Sequence, residues 1–213
     1  MTMGYDLLLA TGETLYMVFA STVFACLLGL PLGTLLFTSQ AIKPNRMLNH
    51  AIASVINISR SIPFIILLVA LIPFTRLLVG TSIGIHAAIV PLTLGATPFF
   101  ARLVDNIYQT LPSGLIEAGF AMGTSPWQTI RHVLLPEALP ALIHATTVTA
   151  ITLVNYSAMA GTVGGGGLGD LAIRYGYQRF DVSVMLLTVV ILVLIVQGLQ
   201  MSGDHLARRF THD

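Results

Sequence analysis

Side chains able to do acid–base or nucleophilic chemistry are sparse in this 213-residue chain. A comparatively polar island is Glu117–Pro136, EAGFAMGTSPWQTIRHVLLP, in sequence that is otherwise mostly hydrocarbon. Its spacing is specific: Glu117-Ala118-Gly119, three residues, Gly123, nine residues, then Val133-x-Leu135-Pro136. No His-Glu-x-x-His or Gly-x-Ser-x-Gly is present, so no catalytic residue is expected. The chemistry on offer is recognition of a partner.

The other candidates read as structure. His86 and His144 lie in apolar runs with no second imidazole or carboxylate at metal-ligand spacing, so each reads as a neutral, satisfied histidine and no metal site is expected. The run Gly164–Gly169 lacks the Gly-Lys-Ser/Thr of a phosphate loop and reads as a flexible turn. The single cysteine, Cys26, sits in an apolar run as a small buried hydrophobe.

The surrounding elements are membrane spans. The chain is 55% hydrophobic and 9% charged, where soluble domains carry about 25% charged residues. A net charge of +1 gives no basic patch for nucleic acid. A spanning helix needs about 20 apolar residues, and five runs qualify, at about 13–38, 48–74, 82–104, 137–160 and 182–204. The expectation is an all-α polytopic membrane protein, one transmembrane domain over 1–213 with a loop at about 112–136. The first residues lack a basic n-region and carry Asp6 and Glu13, so the first run is expected to remain as a span.

Positive charge orients the chain. With the N-terminus outside, Lys43, Arg46, Arg60, Arg102, Arg131, Arg208 and Arg209 are cytoplasmic, against Arg76, Arg174 and Arg179 outside. That arrangement places the C-terminus and the Glu117 loop in the cytoplasm. Gly29-x3-Gly33 reads as a close helix crossing inside the chain. Arg60 reads as a snorkelling cation, with Asp105 or Glu117 as possible partners.

The loop reads as helix-turn-helix. Pro112 and Ser113 open a first helix with Glu117 near its positive end. It runs through Leu115, Ile116, Ala118 and Met122 and stops at Gly123, where a left-handed backbone is cheap. Ser125 caps a second helix, Pro126 fills its first position and Gln128 completes a capping box. Pro136 and Pro140 punctuate the start of the fourth span. Phe120, Met122 and Trp127 are then available to a partner. The same features fit an elbow that caps the bundle against lipid headgroups.

The Glu117 motif resembles the EAA loop of ABC-importer permeases, E-A-A-x3-G-x9-I-x-L-P, with Gly119 and Val133 as departures. Further segments narrow the resemblance: Arg60-Ser61-Ile62-Pro63, Ile72-Pro73-Phe74-Thr75-Arg76, Val79–Gly84, Ala88–Thr93, Tyr156-Ser157-Ala158-Met159 and the glycine run. Together they resemble the methionine ABC importer permeases from about Glu13 to Arg208. The resemblance implies a type I importer permease fold and a bacterial inner-membrane homodimer, each subunit bound to one of two ATP-binding subunits that hold ATP and Mg2+. It also implies an external substrate-binding lipoprotein and uptake of methionine, the D-isomer and close derivatives included. Glu117, Ala118, Gly119, Met122, Gly123, Ser125, Pro126 and Trp127 would couple to the ATPase.

The fourth span keeps polar residues at depth, and Asn155, Tyr156, Ser157 and Met159 are expected to line the translocation pathway, with Met159 in its outer gate. Thr146, Thr147, Thr149 and Thr152 extend that polarity. Another amino acid or glycine betaine remains open as substrate. A stand-alone ion-coupled transporter would need buried relay residues and internal repeats, and the spans hold almost no carboxylates.

Overall fold

In the computed structural model, which describes residues 2–210, the chain folds into ten α-helices joined by short turns. They are α1 (Thr2–Phe37), α2 (Arg46–Ser61), α3 (Phe64–Ala70), α4 (Ile72–Val79), α5 (Ile85–Thr110), α6 (Ser113–Ala121), α7 (Pro126–Thr129), α8 (Leu135–Gly161), α9 (Gly167–Leu171) and α10 (Val182–Phe210). Among the described residues, four helical stretches are long and apolar enough to cross a membrane: Met3–Ile42, Ile85–Thr110, Pro126–Gly161 and Val182–Phe210. Only α-helices keep every backbone group bonded within one lipid-exposed segment, which is why hydrocarbon-rich sequence folds this way.

Two spans differ from the sequence expectation. The first helix begins at Thr2 rather than near residue 13. Its 36 residues reach about 54 Å, well past the roughly 30 Å hydrocarbon core. Asp6 and Glu13 mark where apolar sequence begins, and a helix need not stop there. The expected 48–74 span is a bent pair, with α2 and α3 meeting at 101°. Pro63 supplies no N–H and forces Ile62 into an extended conformation (φ −82°, ψ 123°). A further break at Leu71 separates α3 from α4.

The core is built on α5, the most buried of the long helices, and α1 lies closest against it. Gly29 and Gly33 make the approach possible. A Cβ at Gly29 would stand 2.9 Å from both the Thr97 carbonyl and the Phe100 ring, and one at Gly33 would collide with the Ala101 carbonyl. The crossing is intramolecular.

Most polar groups inside the bundle are satisfied locally, the buried Ser21 and Thr93 hydroxyls being exceptions. Thr22, Thr34, Thr146, Thr147, Thr149 and Thr152 each donate to the carbonyl four residues back. The fully buried Asp105 accepts from Arg102 Nη1 and Gln109 Nε2, both at 3.0 Å. Arg102 also reaches Asn57 of α2 at 3.4 Å. Arg60 is exposed, and its proposed partner Asp105 is taken by Arg102. Asp105→Ala leaves both donors without their acceptor and is expected to cost about 1–3 kcal/mol, measured as a lower thermal midpoint of the detergent-solubilised chain.

Candidate functional site

The Glu117 segment is a compact elbow. Gly123 ends α6 with φ 79°, the left-handed turn that glycine adopts without strain. Ser125 Oγ accepts from Gln128 N at 3.4 Å, and Gln128 Oε1 accepts from Ser125 N at 2.8 Å, so the capping box is formed and Pro126 sits in the first turn. Beneath it, the buried Thr129 hydroxyl lies 2.8 Å from that of Thr124. Gly119 leaves room for this pair: a Cβ there would stand 3.2 Å from Thr124 Oγ1. That packing accounts for glycine at this position of the motif.

Three details of the elbow differ from expectation. Glu117 is the fifth residue of α6 rather than part of its first turn, so the helix dipole acts on it weakly. Met122 follows the helix instead of ending it. The second helix does not stop at Pro136: α7 runs through a π-helical turn, Ile130–Leu134, directly into α8. The wide turn ends just before Pro136, the residue whose missing N–H would otherwise interrupt the helix.

The elbow presents one face and anchors the other. Met122 is 75% exposed, Trp127 66% and Phe120 41%, and Glu117 and Ala118 are exposed beside them. On the inner side, Ile130 and Leu134 are buried with Phe37, Phe100 and Tyr108, and Ile116 packs against them. The end of α1 and the end of α5 therefore hold the elbow.

The fourth-span residues divide. Asn155 and Met159 are exposed on one stripe of α8 that continues through Val148 to His144. Tyr156 is turned inward and stacks on Phe64 of α3, ring centroids 4.3 Å apart and 3° from parallel. Ser157 is buried and donates to the Val154 carbonyl at 2.7 Å, so it does not face the stripe. Consecutive helical residues point about 100° apart, and only every third or fourth shares a face.

Two features were not read from the sequence. His144 Nδ1 lies 3.6 Å from Asp204 Oδ1 of α10, which also accepts from Gln200 Nε2 at 2.8 Å. A separation of 60 residues hides this group, although Gln200 and Asp204 sit at helical spacing. The glycine run is also a packed corner, not a flexible turn. Gly167 N donates to Glu13 Oε2 at 2.8 Å and Leu168 N to Thr14 Oγ1 at 2.9 Å, so α1 caps α9. A Cβ at Gly169 would collide with the Ala158 carbonyl. Among the described residues, no group of three or more His, Cys, Asp or Glu could hold a metal ion.

The profile of binding-protein-dependent transport system inner membrane components matches residues 9–212. The chain belongs to this family. A probable D-methionine transport system permease protein of Vibrio cholerae serotype O1 is 55% identical over 210 residues, which is 97% of this chain and 93% of that protein. A solved structure described as an inward-facing conformation of the MetNI methionine ABC transporter matches with a TM-score of 0.98 at 51% identity, covering 99% of both chains. Another, described as an amino acid ABC transporter with histidines, shares the fold at a TM-score of 0.79 and 20% identity, over 97% of this chain and 94% of that one. The chain is thus an inner-membrane transport component with several spanning helices.

Two glycine substitutions separate rigid from yielding contacts. Gly169→Ala forces backbone apart and is expected to cost about 1–3 kcal/mol or more. Gly119→Ala meets a threonine hydroxyl able to shift and is expected to stay within about 1 kcal/mol. Thermal midpoints in detergent compare them.

Proposed function

We propose that this chain is the membrane permease of an ABC importer for methionine, the D-isomer included, with the elbow as the part through which a partner ATPase drives it. The observation that carries this reading is the elbow itself: a rigid, capped pair of helices presenting Glu117, Met122 and Trp127 while anchored on α1 and α5. The methionine assignment is supported by the similarity to the D-methionine transport system permease and to the methionine ABC transporter structure described above.

In this reading the bent pair α2–α3 completes five spans, with the N-terminus outside and the elbow in the cytoplasm, as the distribution of Lys and Arg favours. Two copies of the chain enclose a path lined by the exposed α8 stripe, Asn155 and Met159 on it and Met159 toward its outer end. Two ATP-binding subunits seat the elbows, with Ala118 and Gly123 allowing close approach, the buried Gly119 letting the elbow pack tightly from within, and Ser125 and Pro126 fixing the second helix. ATP and Mg2+ belong to those subunits; this sequence carries no Gly-x4-Gly-Lys-Ser/Thr. The chain thus performs no catalysis and converts ATP-driven closure of its partners into a rocking of its spans. An external substrate-binding lipoprotein delivers the amino acid.

Glu117→Lys reverses the charge on the exposed face, and Gly123→Trp puts a bulky residue at φ 79°. Each is expected to lower ATP-driven uptake at least about tenfold, equivalent to about 1.4 kcal/mol of coupling, while the chain still inserts in membranes. Wild-type uptake in both variants, or purification of the wild type with no ATPase attached, would remove the docking role.

A further inference from the structure

Between α1 and α10 the bundle is split. Both helices pack on α8, and α9 bridges them at the end remote from the elbow, where Ala10, Leu168, Leu171 and Val184 form a buried cluster. Toward the elbow a crevice of about 810 Å3 opens, with α8 as its floor. Its walls are hydrocarbon, including Phe19 and Leu27 of α1, Leu139 and Ile143 of α8, and Leu199 of α10. The hydroxyls that reach it, those of Thr22, Thr146, Thr147 and Ser202, each donate to a carbonyl of their own helix. An anionic or other hydrogen-bond-accepting group finds no free hydroxyl donor there.

Length and charge specify the occupant. The α1 wall runs from Leu15 to Leu30, about 22 Å at 1.5 Å per residue. That is about three quarters of the roughly 30 Å hydrocarbon core, enough to take the roughly 15 Å depth of one leaflet's acyl chain along its length. The crevice ends at Leu135 on α8 and Leu206 on α10. About one helical turn beyond stand two exposed guanidiniums, Arg131 four residues before Leu135 and Arg209 three after Leu206. The nearby carboxylates face elsewhere. Asp204 is engaged with Gln200 and lies against His144, and Glu137, two residues from Leu135, is on the far side of α8. We propose that the crevice holds an acyl chain of an anionic phospholipid whose phosphate sits at Arg131 and Arg209.

Photo-crosslinking tests this site. The full chain is reconstituted in phosphatidylethanolamine vesicles containing a small, equal fraction of diazirine-acyl phosphatidylglycerol or diazirine-acyl phosphatidylcholine, and adducts are mapped by mass spectrometry. Adducts are expected on the crevice walls, favouring phosphatidylglycerol by roughly fivefold for each guanidinium. Arg131→Gln with Arg209→Gln is expected to erase the preference, and Arg209→Lys, which keeps the charge, to retain it. Equal labelling by the two lipids would overturn the proposal by making the crevice a general lipid contact. Absence of adducts from its walls would overturn it by showing the crevice covered by protein, such as a second copy.

Discussion

The rest of the bundle depends on how closely α1 approaches α5. Gly29 and Gly33 bring the two backbones to a separation at which no side chain fits, and the contact fixes α1 against the most buried long helix. Held there, α1 works at both ends. Glu13 and Thr14 cap α9 and pin the glycine-rich corner. Phe37 and the π-helical turn after it pack under the elbow with Ile130 and Leu134. One continuous helix therefore joins the glycine-rich corner to the surface through which the proposed ATPase acts, so that the elbow rests on the framework rather than on a loop.

A second constraint follows from lipid, where an unpaired polar group costs several kcal/mol. Most threonine hydroxyls return to their own helices, and the wide turn at Ile130–Leu134 joins α7 to α8 without a break. Polar groups that do bridge helices are therefore informative. Arg102, Asp105 and Asn57 fasten α2 to α5, and His144, Gln200 and Asp204 join α8 to α10 beside the exposed α8 stripe.

Local chemistry made the elbow legible in the sequence. Ser125, Pro126, Gln128 and Gly123 each act within four residues, and each took the part their types dictate. Helix type and the apolar cores of the spans were legible for the same reason. Where an outcome depends on distant residues, the sequence was mute. Nothing local reveals that Glu13 meets Gly167 or that Thr124 and Thr129 pack against Gly119; Pro63 marks a break locally, but not the 101° at which α2 and α3 meet. Depth alone suggested four pathway residues on α8, whereas helical phase leaves Asn155 and Met159 on the exposed stripe and sends Ser157 inward.

The central claim, that this chain is the path of an ATP-driven methionine importer, is tested most directly by labelled methionine uptake into vesicles holding the full complex. Uptake is expected only with ATP on the elbow side and the binding protein on the other, competed by unlabelled methionine and not by glycine betaine. Uptake driven by an ion gradient without ATP, or competed by glycine betaine and not by methionine, would contradict it.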